Sequence, residues 1–412
     1  MILERSSRIF LPVLVLLAIS AGPVLAQQGA ILYEAKCGRC HIAFAPEDFP
    51  SEEWPGIVRS MKAQAALTVS ELETITEYLT GAGGQDQAGA LSTKATFGGY
   101  LYTEYLQTPE KTSNFDIHYL ALYAYGWVNE NIFYFGEFEL EHGGTGGSNT
   151  FVEQAYMDYW ITSNLALKIG AILTPYNRFD EFHDPLTNLI VTRPQVSREI
   201  GVSAWKDVGV DFHGYFNLSA KSSLGFDLYS INGLGSGTNL RGSRQYLDNN
   251  EDLALGGRVN FMYSDMIEVG GSVYQGKWDD DGLYNLNLLG AHILLKTDFA
   301  DIYGEYSSAT SENAAPAGDG EMSGYFIQAS RLFSSRYRTT VRYGALDYLD
   351  PGDQFGRNPA KGDKDVTELA LGFTYYPSPK VAFKIEYNLF GEGDRAAEKD
   401  NNLIGLQAAV KF

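Results

Sequence analysis

Val381-Ala382-Phe383-Lys384-Ile385-Glu386-Tyr387-Asn388-Leu389 decides the fold. Val381, Phe383, Ile385, Tyr387 and Leu389 occupy every second position, with Lys384, Glu386 and Asn388 between them. A period of two belongs to an extended strand with one apolar and one polar face. The alternation recurs along the chain. Glu137 and Glu139 alternate with Phe138 and Leu140, and Ile404, Leu406, Ala408, Val410 and Phe412 share one face of a last strand whose other face carries Gln407 and Lys411.

From about Thr96 to Phe412 the pattern predicts sixteen strands, each of the length that crosses an outer membrane when tilted. They centre near Leu101, Leu122, Phe135, Tyr156, Ile169, Phe212, Phe226, Gly257, Gly271, Leu289, Tyr303, Ile327, Val341, Leu371, Ile385 and Leu406. The connections alternate long and short. Short ones are Asn129-Glu130-Asn131, Thr162-Ser163-Asn164, Ser264-Asp265, Thr297-Asp298, Ser334-Ser335-Arg336 and Pro377-Ser378-Pro379-Lys380; long ones include 174–207, 231–252, 307–320, 349–365 and 390–401. Short periplasmic turns opposite long outer loops mark a bacterial outer-membrane barrel, and an even strand count leaves both barrel ends on the periplasmic side. A mean hydropathy of only −0.18 agrees, because lipid-facing apolar residues are averaged with lumen-facing polar ones. Residues 96–412 are therefore expected to form an all-β, sixteen-stranded antiparallel barrel. The aromatic Phe412 at the end of an alternating strand resembles the recognition signal of such barrels.

The first 95 residues read differently. Arg5 and Arg8 precede the apolar run Ile9 to Ile19, and Val24-Leu25-Ala26 offers small residues for cleavage. Residues 1–26 thus read as a secretory signal peptide. The chain holds two cysteines, both in Cys37-Gly38-Arg39-Cys40-His41. This CxxCH run is the attachment signature of a c-type haem: Cys37 and Cys40 bond the haem covalently and His41 supplies the proximal iron ligand. One covalent haem c is expected. Around it, residues 27–82 read as a small all-α monohaem cytochrome c unit. Trp54, Ile57, Val58 and Met61 fall on one helical face, Ser70 and Glu73 offer a capping box, and a final helix stops at Gly81. Met61, the unit's one methionine, is the candidate sixth ligand of the iron; a residue of the core on the Trp54 face is the other reading. The Gly-rich segment 83–95 reads as a flexible linker.

The helices flanking CxxCH resemble a short class I-like cytochrome c, and the barrel loosely resembles the phosphate-selective porins. The whole arrangement of signal peptide, CxxCH, linker and barrel resembles the fused cytochrome–porin family of outer-membrane electron conduits known from iron-oxidising bacteria. That resemblance implies that extracellular Fe(II) gives electrons through the haem to a periplasmic c-type cytochrome. It places the chain in the lipid of the outer membrane, with the haem unit in the barrel lumen or at its periplasmic mouth.

Charge is consistent with a cationic donor. Without Glu4, Arg5 and Arg8 the chain has 29 basic and 50 acidic residues, a net charge near −21. Acids crowd the outer loops at Asp279-Asp280-Asp281, Asp363, Asp365, Glu392, Asp394, Glu398 and Asp400. Such a field would concentrate cations and disfavours nucleic acid. By strand order His118, His142 and His183 fall at the outer rim or in outer loops. Asp180, Glu181, His183 and Asp184 are candidates for Fe(II) entry, since oxygen and imidazole ligands suit that ion. His213 and His292 face the lumen nearer the periplasmic end. Two other readings compete. In one, the barrel is a substrate-selective porin in which Arg258, Arg338 and Arg342 guide anions and the cytochrome is a separate periplasmic module. In the other, electrons run outward to an extracellular acceptor. The Gly-rich stretches Gly143–Gly147 and Gly233–Gly237 lack a P-loop lysine, so nucleotide chemistry has no support.

Overall fold

A computed structural model describes residues 29–34, 36–37, 43–61, 65, 67–81, 95–109, 113–144, 150–219, 221–237, 239–264, 266–313, 319–334, 336–348, 365–393 and 400–412. The signal segment, Cys40, His41, residues 83–94 of the linker and the loop acids Asp363, Asp394 and Glu398 lie outside the described residues. The chain forms two compact units, residues 1–94 and 95–412.

The first unit is small and helical. Residues 29–34 and 36–37 are helical, and two further helices follow at Trp54–Ser60 and Val69–Thr80. Trp54, Val58, Leu67, Ile75 and Leu79 pack with Tyr33 and Ala65 into one apolar cluster. The last helix begins at Thr68, two positions before the expected Ser70 box. The Thr68 hydroxyl accepts from the Glu71 amide at 3.0 Å, and Glu71 accepts from the Thr68 amide at 2.8 Å. The same S/T-x-x-E spacing occurs at both places. Burial of Leu67 just ahead of the cap selects the earlier one. Gly81 ends the helix at φ 67°, the left-handed conformation that glycine adopts without strain.

The second unit is a closed antiparallel barrel. Its strands are β1 (Thr96–Gln107), β2 (Asn114–Asn129), β3 (Ile132–Glu141), β4 (Thr150–Trp160), β5 (Leu165–Leu173), β6 (Lys206–Asn217), β7 (Ser222–Ile231) and β8 (Ala254–Tyr263). They continue as β9 (Ile267–Lys277), β10 (Asn285–Lys296), β11 (Asp301–Ser311), β12 (Gly320–Phe333), β13 (Tyr337–Tyr348), β14 (Val366–Ser378), β15 (Val381–Glu392) and β16 (Leu403–Lys411). Each expected strand centre falls within its strand. β16 pairs with β1, and Phe412 and Gly99 exchange backbone hydrogen bonds of 2.9 and 3.0 Å where the ladder closes. Closure leaves no unpaired edge, which a spanning sheet in lipid requires.

The two faces separate as the alternation demands. Val341, Leu371, Tyr387 and Ile404 lie opposite one another across β13–β16 and remain 40–46% exposed, one row of an outward apolar belt. Arg342, Glu368, Lys384, Glu386 and Gln407 of the same strands are buried on the inner face. Apolar outside and polar inside is the reverse of a soluble barrel and fits one standing in a bilayer. Among the described residues no helix is long and apolar enough to cross a membrane.

Candidate functional site

The connection between β5 and β6, residues 174–205, does not stand in solvent. It folds against the inner wall of the barrel and supplies much of the largest buried apolar cluster, with Tyr176, Phe179, Val196, Ile200, Val202 and Trp205. The wall makes room for it with glycines. A Cβ on Gly290 of β10 would collide with the Asn177 amide, and one on Gly372 of β14 would collide with Ile190. Polar pins complete the docking. The Arg178 and Phe179 amides both donate to Glu305 of β11 at 2.7 Å, and Arg178 Nε donates to Glu268 of β9 at 2.8 Å. On the other side Lys384 of β15 donates to the Asn188 carbonyl at 2.6 Å, and the Thr192 amide donates to Glu386 at 2.7 Å.

The four expected Fe(II)-entry residues therefore lie on an infolded segment and are directed to different partners. Asp180 is buried and accepts from the amides of Ala204 at 2.8 Å and Trp205 at 3.2 Å. Burial pushes its carboxyl above the usual range, with His183 and the two amides pulling the other way. Glu181 pairs with Arg178 and with Arg258, the latter at 2.6 Å. His183 Nδ1 donates to the Asp180 carbonyl at 2.5 Å, and its Nε2 lies 3.6 Å from Glu153. Asp184 accepts from Tyr100 at 3.3 Å. The sequence carried a signal for the infolding: a long connection holding Tyr176, Phe179, Ile190, Val191, Val196, Ile200 and Trp205 is too apolar to be a solvated loop.

The expected lumen arginines also have partners. Arg258 pairs with Asp227 at 3.0 Å, Arg338 with Asp301 at 3.2 Å, and Arg342 with Glu368 at 3.2 Å. His213 and His292 face inward as parity requires, 3.0 Å from Asp158 and 3.4 Å from Glu268. A group that was not anticipated gathers on the outer-side connections. Arg241 is pushed down to about 10 by burial, then by the charges of Arg193, Arg244 and Arg198.

In the helical unit Cys37 is the last described residue of the first helical stretch and is partly buried against the apolar cluster. Aromatic rings line that cluster: Tyr33 meets Trp54 edge-on at 6.3 Å, and Phe49 meets Trp54 at 5.1 Å. Trp54 is held by donating from Nε1 to the Pro46 carbonyl at 2.8 Å, and Lys36 is tied to Glu71 at 3.2 Å. A thiol presented against an apolar, aromatic-lined cluster fits a covalently attached porphyrin. Met61 caps the Trp54–Ser60 helix and is 44% exposed, so it is not part of the Trp54 core.

Comparison with known proteins agrees with both halves. Residues 33–110 match the family model described as dihaem cytochrome c. An uncharacterized protein of Aquifex aeolicus (strain VF5) is 26% identical over 358 residues, covering 77% of this chain and 79% of that protein. The anion-selective porin from Comamonas acidovorans resembles the structure with a TM-score of 0.57 at 12% identity, covering 77% of this chain and 99% of that one. The outer membrane channel DcaP of Acinetobacter baumannii gives a TM-score of 0.54 at 15% identity, covering 80% and 100%. The barrel has the porin fold. The chain joins a cytochrome c-like unit, for which haem c is the indicated cofactor, to a porin-like barrel of the outer membrane.

Proposed function

We propose that the protein is an outer-membrane electron conduit that oxidises extracellular Fe(II) and delivers the electrons to a periplasmic c-type cytochrome. The observation that carries this reading is the presence, on one chain, of a haem-attachment motif and a closed sixteen-strand barrel with an apolar outer belt. A bilayer insulates, and its hydrocarbon band is ~25 Å tall. A chain that carries both a one-electron cofactor and a route through that band has the parts a conduit needs.

Cys37, Cys40 and His41 would hold one haem c, with Met61 as candidate sixth ligand. The chain's two cysteines allow one CxxCH attachment, although the matched family is described as dihaem. When bound, the haem supplies a one-electron carrier. The balance is simple: one Fe(II) becomes Fe(III) for each ferric periplasmic cytochrome reduced. The acids of the outer connections draw in the cation. Asp180, Glu181, His183 and Asp184 lie on the infolded connection that an entering ion would meet. Tyr33, Trp54 and Phe49 keep water from the cluster that receives the cofactor.

The test is anaerobic stopped flow of the purified haem-loaded protein with Fe(II) near neutral pH. Reduction followed in the haem absorbance, together with loss of Fe(II) oxidation in Cys37→Ala/Cys40→Ala, supports the conduit. Haem that dithionite reduces and Fe(II) does not sinks the reading.

The arginine group favours a second reading. After burial, the charges of Arg193, Arg244 and Arg198 lower Arg241, and that of Arg193 lowers Arg244, a basic focus suited to guiding anions. The barrel would then be a selective porin with an attached redox module. Reversal potentials across a salt gradient separate the two: anion preference that Arg241→Ala abolishes supports the porin, and cation preference rejects it.

A further inference from the structure

The outer ends of β1, β2 and β3 bring together Glu104, Asp116, His118 and His142. Asp116 lies opposite Glu104 in the ladder, and His142 directly follows the last residue of β3. One nitrogen from each histidine and one oxygen of Asp116 lie within 4.8 Å of one another. His142 Nδ1 is 2.7 Å from Asp116 Oδ2, and His118 Nδ1 is 3.6 Å from the same oxygen. Glu104 Oε1 stands 2.8 Å from His118 Nδ1.

A local irregularity builds this cluster. Tyr102 pairs with Tyr119, but Thr103 pairs with Ile117, so His118 is an inserted bulge residue. Strict alternation from Tyr119 and Ala121, both buried inward, would turn His118 and Asp116 toward lipid. The bulge shifts the phase. Ile117 and Phe115 point out, 48% and 83% exposed, and His118 and Asp116 share the inner face with Tyr119. The Tyr102 ring stacks on His118 at 4.8 Å and 22°, fixing its plane. His142 adopts φ 51°, in the left-handed region that histidine visits more readily than most residues.

We infer that this cluster is a binding site for a divalent first-row transition cation, with His118, His142 and Asp116 as ligands and Glu104 as a further carboxylate. Ligand bonds of ~2.0–2.2 Å put neighbouring ligand atoms about 3 Å apart. The observed 2.7, 2.8 and 3.6 Å separations bracket that spacing. Two imidazoles with carboxylates suit Fe(II), Zn(II) or their neighbours, whereas Mg(II) and Ca(II) favour oxygen alone. The cation replaces the protons shared between imidazole and carboxylate, and these leave to solvent as it binds. His142 is half exposed, which opens the cluster to an arriving ion. The site does not depend on the electron-transfer reading.

The test uses the full-length, haem-loaded ferric protein in detergent after chelator treatment. Calorimetry with Zn(II) should find one tight site that Glu104→Gln weakens roughly 10- to 100-fold and that His118→Gln or His142→Gln weakens at least as much. His213→Gln, the same change at a buried lumen histidine, should leave that site intact. Unchanged Zn(II) affinity in both His118→Gln and His142→Gln overturns the assignment. Should the variants lose the heat-modifiable migration of a folded barrel, the Cu(II) spin-resonance spectrum of the unaltered protein decides. Hyperfine coupling from two imidazole nitrogens supports the site, and its absence rejects it. Cation binding with no Fe(II)-driven haem reduction would retain the site and discard the conduit.

Discussion

Arg178 Nε lies 2.8 Å from Glu268 Oε1, with both side chains almost fully buried, so a loop residue is ion-paired to the wall of β9. Removing one partner of such a pair leaves an uncompensated buried charge, at a cost of about 3–5 kcal/mol. Arg178→Ala takes the guanidinium from the buried Glu268 and leaves Glu181 with Arg258 alone, and the infolded connection should lift from the wall. The strand ladders do not pass through Arg178, so the barrel itself should persist. Single-channel recording should show higher or noisier conductance than the parent. An unaltered trace would mean that the apolar side chains hold the loop by themselves.

Gly372 offers a second lever on the same loop. A Cβ there has no room beside Ile190, whereas a Cβ on Gly136 of β3 meets nothing within 4 Å. Valine suits the strand backbone at both positions. Gly372→Val should therefore displace the 190 region and change conductance, while Gly136→Val should not. Equal behaviour of the two variants would show that the wall yields more easily than the loop.

The strands were legible because each repeats one simple rule over many residues, and burial of a whole face enforces it. The infolding of 174–205 was not legible residue by residue. Its partners Glu268, Glu305 and Glu386 read in the sequence only as the polar half of alternating strands. Asp180-Glu181-Phe182-His183-Asp184 has the composition of a solvated loop, yet Asp180 is spent on two amides and Glu181 on two arginines. The signal was the apolar content of the flanking residues, which periodicity alone does not weigh. The bulge at His118 left no trace in the pattern, because an inserted residue is visible only against its partner strand. In the helical unit the spacing of Trp54 and Val58 foretold their burial, but Met61 at the helix end escaped the stripe.

Asp180 gives the loop a pH dependence. Its carboxyl is raised in the folded protein, chiefly by burial. A raised folded value means that its contribution to docking is fully present below the unfolded carboxyl value. That contribution is lost as pH rises through the folded value. Loop docking should thus weaken upward from the ordinary carboxylate range. Asp180→Asn keeps an acceptor for one of the two amides and removes the titration, so its conductance–pH curve should be flatter than the parent's. Parallel curves would place the pH response on the other lumen carboxylates.

The helical unit has its own point of leverage at Thr68. Its hydroxyl and the Glu71 carboxylate cap each other's backbone amides, and Glu71 also reaches Lys36 of the helical stretch that carries Cys37. Thr68→Ala removes one side of the box, a change that costs about 1 kcal/mol. In a unit this small that corresponds to a fall of roughly 4–8 °C in melting midpoint. Thr68→Ser restores the hydroxyl and should recover most of the loss. The measurement is the thermal transition of the haem absorbance in the full-length, haem-loaded protein, which reports this unit without interference from the barrel strands. If Thr68→Ala melts with the parent, the Lys36–Glu71 pair and the buried Leu67 and Ile75 hold the helix without its cap.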